Sequence, residues 1–238
     1  MSIWDNPIAH RGLHGGGIPE NSMLAFEKAV EKGYNIELDV HITIDGIVVV
    51  FHDDTLTRMC GVERKIADCT KSELDTYTLA NTDYHIPTLV EVLDMVDGRV
   101  EVLVEIKSTD AKVGRLESAT HDIIKNYPNI TIQSFNPMSV KWYKDNAPSI
   151  PRGILATGDY SSQKKWPLSY MLKAMWFNGL CQPQFIAYDE RFILTSKYLA
   201  RKRKGLKVLS WTVSSEDRYL KIKDLVDNII FELWLPQK

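Results

Sequence analysis

Acidic side chains stand at alternate positions in two apolar stretches of the chain. Glu37 and Asp39 lie in the run IELDV, and Glu105 lies in VLVEIK, where Lys107 follows at the same spacing. Because alternate residues of a strand point to one face, each pair shares a face. Ionised carboxylates in such apolar surroundings need a compensating cation, and a hard divalent ion with oxygen ligands meets that need. The pattern therefore predicts a divalent-cation site formed by Glu37, Asp39 and Glu105.

Two histidines and two cations complete a set that suits phosphate chemistry. His10 is followed by Arg11 in the run IAHRG, and His52 closes the run IVVVFH. Two imidazoles beside a metal can act as general base and general acid, each worth roughly 10²–10⁴-fold in rate. We therefore predict catalytic roles for His10 and His52. Arg11, with its planar fork, and Lys107, with its point charge, are predicted to bind the non-bridging oxygens of a phosphate group.

Each of these residues also has a structural interpretation. A single buried acid commonly pairs with a cation, and a lone histidine at a strand end is more often a hydrogen-bonded core residue. Three acids, two histidines and two cations at strand ends favour an active site, because that end of a β/α barrel is where catalysis is built. His14 lies in HGGG near the predicted site, and His41 is the nearest rival among the other histidines. Trp211 is predicted either to wall the substrate pocket or to fill the barrel core.

The composition limits the classes of protein to consider. The 238-residue chain has 44% hydrophobic and 25% charged residues, which is typical of a soluble globular protein. A net charge of −2 gives no long-range attraction for nucleic acid or an anionic membrane. No apolar run is long enough to span a bilayer and no signal peptide is apparent, so a cytoplasmic protein without stable membrane insertion is expected. Three widely spaced cysteines are expected to be reduced, and the basic run from Lys197 is expected to be a solvated helix face.

The predicted site residues are positioned by an alternation of short apolar strands and amphipathic helices. Eight strands are expected: one ending at His10, four over 36–40, 102–106, 130–135 and 208–213, and three near Ile154, Ile186 and Ile230. The predicted helices cover 22–32, 89–96, 113–126, 138–146, 196–204 and 216–225. Eight β units joined by helices favour a closed (β/α)8 TIM barrel over an open doubly wound sheet. We expect one domain over residues 1–238, with a small insertion at about 54–87 over the barrel mouth.

The strand through Asp39 continues into a predicted β-hairpin. Asp-Gly at 45–46, between alternating β-branched residues, is a strong turn signal. With a two-residue loop, Ile44 faces Ile47 and the register places Asp39 opposite His52. The residues predicted for the other, apolar face are Val40, Ile42, Ile44, Ile47, Val49 and Phe51. The hairpin would thus return His52 to the strand ends, beside a predicted metal ligand.

Six short motifs follow one another in an order that is specific in combination. The chain carries HRG from His10, PEN from Pro19, ELD from Glu37, the Asp-Gly turn, HD from His52 and EIK from Glu105. In these motifs, and in IPTLVEVLDMV, QSF and WTV further along, it resembles the glycerophosphodiester phosphodiesterase family over nearly its whole length.

The resemblance implies a TIM barrel that hydrolyses small glycerophosphodiesters, which are deacylated phospholipids, to glycerol 3-phosphate and an alcohol. It implies that the two histidines are the acid/base pair, that the three acids bind Mg²⁺ or Ca²⁺, and that Arg11 and Lys107 hold the phosphate. It also implies that a glycerol hydroxyl can attack phosphorus before water does. The headgroup, the choice of metal and the oligomeric state stay open.

The chain departs from the family pattern near its C-terminus. Ser214 stands where the family usually has Asn, and FELWLP replaces a strand resembling Thr-Asp-x-Pro, so that Glu232 can substitute for that acid. The insertion, which in the family helps to recognise glycerol, is short. The altered C-terminal strand leaves open a non-catalytic barrel that binds phosphodiesters. A lysophospholipase D-like or sphingomyelinase D-like lipid phosphodiesterase also stays open, because the resemblance extends to related barrels that share the HRG, ExD and HD elements.

Overall fold

Eight parallel strands close into a barrel. The computed structural model describes residues 2–108, 113–159, 168–202 and 205–237. The barrel strands are β1 (Ile8–His10), β2 (Asn35–Ile42), β4 (Val102–Ile106), β5 (Ile130–Ser134), β6 (Arg152–Ala156), β7 (Phe185–Asp189), β8 (Lys207–Val213) and β9 (Asn228–Phe231). They pair in this order, and β1 closes the ring by pairing with both β2 and β9. The predicted (β/α)8 barrel and its eight strands are confirmed.

Helices connect the strands and cover the barrel. They are α1 (Met23–Glu31), α4 (Leu89–Val96), α5 (Arg115–Ile124), α6 (Pro137–Asn146), α7 (Leu168–Lys173), α8 (Asn178–Cys181), α9 (Lys197–Lys202) and α10 (Glu216–Ile222). Ser22 caps α1 by accepting from the N–H of Ala25, and Gly33, with φ +64°, follows its end, as the sequence predicts. The other predicted helices are confirmed within a few residues, except that residues 203–204 of the fifth, predicted over 196–204, lie outside the described residues. The sequence missed α7, which buries no residue, and the four-residue α8.

The alternation of strand residues separates two apolar layers. Outward side chains of β2, such as Ile36, Leu38 and Val40, pack against the helices. Inward side chains of several strands form a separate cluster that includes Ile8, Leu103, Phe185, Ala187, Leu209 and Ile230. A Cβ at Gly153 would lie 2.2 Å from the ring of Phe185, so glycine is required there for the interior to close. The inward positions that follow this cluster along β1, β2 and β4 are those of the predicted site.

The insertion forms a small unit beside the C-terminal ends of the strands. It follows β3 (Val48–Val50), which pairs antiparallel with β2 and packs against the insertion, and it contains the short helices α2 (Thr57–Cys60) and α3 (Lys71–Leu74). Its apolar side chains form their own buried cluster, which includes Val49, Phe51, Leu56, Ile66, Leu74, Leu79 and Ile86. This cluster gives the insertion a core apart from that of the barrel.

The predicted hairpin register is wrong by one residue. Val40 pairs with Val50, and the N–H of Phe51 donates to the carbonyl of Asp39 at 3.0 Å, so Phe51 and not His52 is opposite Asp39. The N–H of Gly46, with φ +89°, donates to the carbonyl of Thr43, which makes a three-residue loop in place of the expected two.

The shifted register also changes the two faces of the hairpin. Val49 and Phe51 pack in the insertion cluster, whereas Val48 and Val50 pack with the barrel layer. Ile44 and Ile47, expected on the apolar face, are 57% and 40% exposed at the tip. Both faces of this hairpin are therefore needed for packing.

Candidate active site

Three carboxylates meet inside the C-terminal end of the barrel. Asp39 on β2 is the register partner of Glu105 on β4, and Glu37 is that of His10 on β1. All three carboxyl groups are buried, and one oxygen of each lies within 4.8 Å of the others. The structure thus brings together the three acids that the sequence predicts as metal ligands.

Two cations balance part of this charge. Lys107 Nζ lies 3.0 Å from Asp39 Oδ1 and 2.6 Å from Glu105 Oε1, while Arg11 Nε lies 3.4 Å from Asp39 Oδ2. Burial raises the pKa of Asp39, but Lys107 and then Arg11 outweigh this effect and hold that pKa well below its usual range. The Asp39 carboxylate therefore stays ionised.

Glu37 has a different environment. It accepts a hydrogen bond from the backbone N–H of Arg11 at 3.1 Å and forms no ion pair within the described ranges. Its pKa is raised well above the ordinary value by burial and then by the charges of Asp39 and Glu105. Three buried carboxylates thus face two cations, and a divalent ion would supply the missing positive charge with the oxygen donors that Mg²⁺ and Ca²⁺ prefer. The residues present fit such an ion.

His10 is held by a carboxylate from the opposite end of the chain. Its Nδ1 lies 2.8 Å from Oε2 of Glu232, the residue after β9. A carboxylate only accepts hydrogen bonds, so Nδ1 carries the proton and Nε2 keeps its lone pair. Burial lowers the pKa of His10, and the hydrogen bond to Glu232 opposes that shift. Glu232, expected only as a substitute for a family acid, thus orients a predicted catalytic group, and His14 Nε2 lies 3.9 Å from the same oxygen.

His52 follows the same pattern with a neighbour in sequence. Its Nδ1 lies 2.7 Å from Oδ1 of Asp53, and its side chain is 32% exposed. Burial lowers the pKa of His52, and the charge of Asp39 is the largest effect that raises it. Although the predicted pairing is wrong, His52 therefore lies within electrostatic reach of Asp39. The rival His41 is buried, and its Nε2 lies 3.1 Å from the carbonyl oxygen of His52, so it supports the loop.

Trp211 lies near the C-terminal end of β8 and packs in the barrel interior. Its ring meets that of Phe135 edge-on at 5.4 Å, and its Nε1 donates to the carbonyl of Ala187 at 3.0 Å. The indole is half-buried on the interior apolar cluster, which agrees with the core interpretation, and contact with substrate stays a prediction.

Three polar residues of the site were not predicted from the sequence, although they lie inside the motifs described above. Asn21 and Glu20 belong to PEN, and Asp53 belongs to HD. Asn21 Nδ2 donates to Asp39 Oδ2 at 2.9 Å, and Glu20 Oε1 accepts from Arg11 Nη1 at 2.7 Å. Their motifs were the signal that could have found them.

The fold and the site are those of a β/α-barrel hydrolase, because three clustered carboxylates, two imidazoles and two cations lie at the C-terminal face. The glycerophosphoryl diester phosphodiesterase family matches residues 10–232. The chain belongs to this family, and it is accordingly a phosphoric diester hydrolase.

Individual relatives agree over nearly the whole chain. A glycerophosphodiester phosphodiesterase of Caldanaerobacter subterraneus is 33% identical over 240 residues, which cover 94% of this chain and 92% of that protein. The crystal structure of a Thermotoga maritima glycerophosphodiester phosphodiesterase has a TM-score of 0.75 at 27% identity, covering 95% and 94% of the two chains. An Oleispira antarctica phosphodiesterase, in complex with the product sn-glycerol-3-phosphate, has a TM-score of 0.81 at 24% identity and covers 98% and 95%; it shows the fold. None of the helices among the described residues has the length and apolar character to cross a membrane.

Proposed function

We propose that this protein hydrolyses glycerophosphodiesters to glycerol 3-phosphate and an alcohol. The observation that carries the proposal is the buried carboxylate cluster, whose charge is only partly balanced, together with two imidazoles whose Nδ1 atoms each contact a carboxylate. The family match and the relative from Caldanaerobacter support the same substrate class.

The contacts of the site support the following residue roles. Glu37, Asp39 and Glu105 would hold Mg²⁺ or Ca²⁺, which when bound polarises the phosphate and offsets its charge. Arg11 and Lys107 bind non-bridging oxygens, and Trp211 walls the pocket. The bond from phosphorus to the headgroup oxygen breaks as water, or a glycerol hydroxyl followed by water, attacks phosphorus. Of the two imidazoles, one takes the proton of the nucleophile and the other, protonated, gives a proton to the leaving oxygen.

The direct test is incubation of the purified protein with glycerophosphocholine and glycerophosphoethanolamine, with EDTA or with added Mg²⁺ or Ca²⁺. We expect glycerol 3-phosphate only when the metal is present. Glu37→Gln should abolish this activity because it removes a ligand charge. Glu101→Gln is the matched control, since Glu101 is also buried but precedes β4 at the other end of the barrel. Absence of glycerol 3-phosphate from every headgroup tested would refute the proposal.

A second candidate, a lysophospholipase D-like activity, is favoured by an apolar cavity beside the site. This cavity of about 290 Å³ is lined by Leu13, His14, Glu232, Leu233 and Leu235 among others. Leu233 and Leu235 are 72% and 55% exposed there. A rat lysophospholipase D is 28% identical over 92% of this chain. Choline release from lysophosphatidylcholine exceeding that from glycerophosphocholine, and reduced by Leu233→Asp, would favour this candidate over the first.

We further propose a cytoplasmic protein whose partner is the small-molecule substrate, without nucleic acid. Three free cysteines, Cys60, Cys69 and Cys181, support a reducing compartment. Fractionation of native cells with an antibody to the chain tests the location.

A further inference from the structure

Arg58, on helix α2 of the insertion, contacts two carboxylates at once. Its Nε and Nη2 donate to the two oxygens of Asp53 at 2.7 and 3.0 Å. Its Nη1 and Nη2 donate to the two oxygens of Glu20 at 3.0 and 2.6 Å. A planar guanidinium fork suits such paired bidentate contacts. One side chain therefore joins the loop after β3 to the loop after β1.

Each of the two carboxylates continues to a residue of the site. The Asp53 oxygen that accepts from Arg58 Nη2 also contacts His52 Nδ1 at 2.7 Å. The Glu20 oxygen that accepts from Arg58 Nη2 also accepts from Arg11 Nη1 at 2.7 Å. Arg58 thus binds the same oxygen atoms that orient the imidazole and the guanidinium of the site.

The charges of this network favour a fixed arrangement. Burial raises the pKa of both Glu20 and Asp53. The hydrogen bonds and charge of Arg58, together with those of Arg11 at Glu20 and of His52 at Asp53, outweigh burial and hold each pKa at about 2. Both carboxylates are therefore ionised at neutral pH, with the cation between them. Asp53 is only 23% exposed, and without Arg58 it could turn towards water.

We propose that Arg58 is a positioning residue, which holds Asp53 and Glu20 so that His52 and Arg11 keep the geometry for phosphodiester cleavage. The roles of His52 and Arg11 in this statement rest on the proposed function. Asp53, when fixed, keeps the proton of His52 on Nδ1 and leaves Nε2 for proton transfer. When Asp53 is released, His52 can adopt the Nε2–H tautomer that a free imidazole prefers, which presents the wrong nitrogen.

The chain offers a matched control in Arg64. It lies in the same insertion and donates to Glu73 at 3.0 Å and to the carbonyl of Asp68 at 3.1 Å. Its side chain is 37% exposed, against 47% for Arg58. Arg64→Gln therefore removes a comparable ion pair without touching His52 or Arg11.

The kinetic test compares both variants with the wild-type protein. Arg58→Gln should lower kcat/KM by about 10–100-fold, mostly in kcat, because a displacement of catalytic groups of the order of 1 Å costs that much. Arg64→Gln should retain wild-type values. Arg58→Lys should fall between them, because an ammonium keeps the positive charge but cannot make the two bidentate contacts of the guanidinium. In Asp53→Asn, adding Arg58→Gln should cost less than it does alone; fully additive costs would contradict the proposal.

A second readout needs no activity. Imidazole nitrogen chemical shifts, measured by NMR, should place the His52 proton on Nδ1 in wild-type protein and in Arg64→Gln. In Arg58→Gln they should report a larger Nε2–H fraction. If the wild-type protein hydrolyses no substrate, the proposed function fails while this measurement still decides the role of Arg58. A wild-type tautomer in folded Arg58→Gln, or in Arg58→Lys should the first variant not fold, would overturn the inference.

Discussion

The two predicted catalytic histidines reach one site from unlike supports. His10 ends a barrel strand, and its partner Glu232 follows the strand that closes the barrel, 222 residues later in the chain. His52 lies in the loop after β3, and its partner Asp53 is the next residue, held by a side chain of the insertion. In both imidazoles, Nδ1 is thus hydrogen-bonded to a carboxylate oxygen. In the first case barrel closure provides the geometry, and in the second a peripheral ion network provides it.

Among the substitutions that test this comparison, removal of either imidazole should lower kcat the most. We expect His10→Ala and His52→Ala each to lower kcat by about 10²–10⁴-fold, the usual contribution of a positioned acid or base. Steady-state hydrolysis of glycerophosphocholine measures this. His85→Ala is the control, because His85 is exposed and its Nδ1 contacts only the carbonyl of Tyr77 among the described residues. Near-wild-type activity in either site variant would remove that histidine from the mechanism.

Glu232→Gln should separate the two supports. The Glu232 carboxylate raises the pKa of His10 against the effect of burial, so its loss should lower that pKa further. If His10 is the base, the acidic limb of the pH–rate profile moves to lower pH, and kcat should fall about 10–100-fold as the ring loses its fixed orientation. NMR titration of the His10 ring measures the shift. Asp53→Asn should leave this pKa unchanged, and an equal change in both variants would contradict separate supports.

The ion pairs that Arg58 and Arg11 form with Glu20 should make the free energy of unfolding depend on pH. The pKa of Glu20 is about 2 in the folded protein against an ordinary 4.5, so its contribution is present above pH 4.5 and is lost as the pH falls towards 2. Glu20→Gln should therefore cost about 3 kcal/mol in free energy of unfolding at pH 7 and much less near pH 3, as measured by urea denaturation.

Glu101 gives the opposite sign. Burial raises its pKa, so its ionised form destabilises the fold above the ordinary pKa. Glu101→Gln should stabilise the protein at pH 7, and this gain should disappear in acid. If Glu20→Gln and Glu101→Gln changed the free energy of unfolding at pH 7 in the same direction, the opposite effects expected for these two glutamates would be wrong.

The hairpin tip should show the smallest effect. Ile44→Thr should change the free energy of unfolding by less than about 0.5 kcal/mol because Ile44 is exposed. Val48→Ala should cost about 1–3 kcal/mol because Val48 is buried in the barrel layer. Thermal or urea unfolding measures both. Similar costs would favour the register with a two-residue loop.

Much of the fold could be predicted because its signals are local. The apolar runs of the strands, the Ser22 cap and Gly33 after α1 are readable from a few neighbouring residues. The helices α7 and α8 were missed because α7 has no buried face and α8 is too short for periodicity. The hairpin turn was recognised at 45–46, but a loop of two residues and one of three carry the same Asp-Gly signal. That single residue decides which side chain lies opposite Asp39.

The chemical groups of the site can be read from the residues alone: alternate acids on two strands, two histidines, Arg11 and Lys107, in an order specific in combination. Alternate residues of a strand share a face, so Glu37 and Asp39 point the same way. In a β/α barrel the C-terminal ends of all strands lie around one opening. The groups that hold the two imidazoles become visible in the folded chain. Glu232 reaches His10 because the last strand closes on the first, and Arg58 reaches Glu20 because the insertion folds back over the first loop. Residues so far apart in the chain show no regular spacing in the sequence, so their contacts could not be predicted from it.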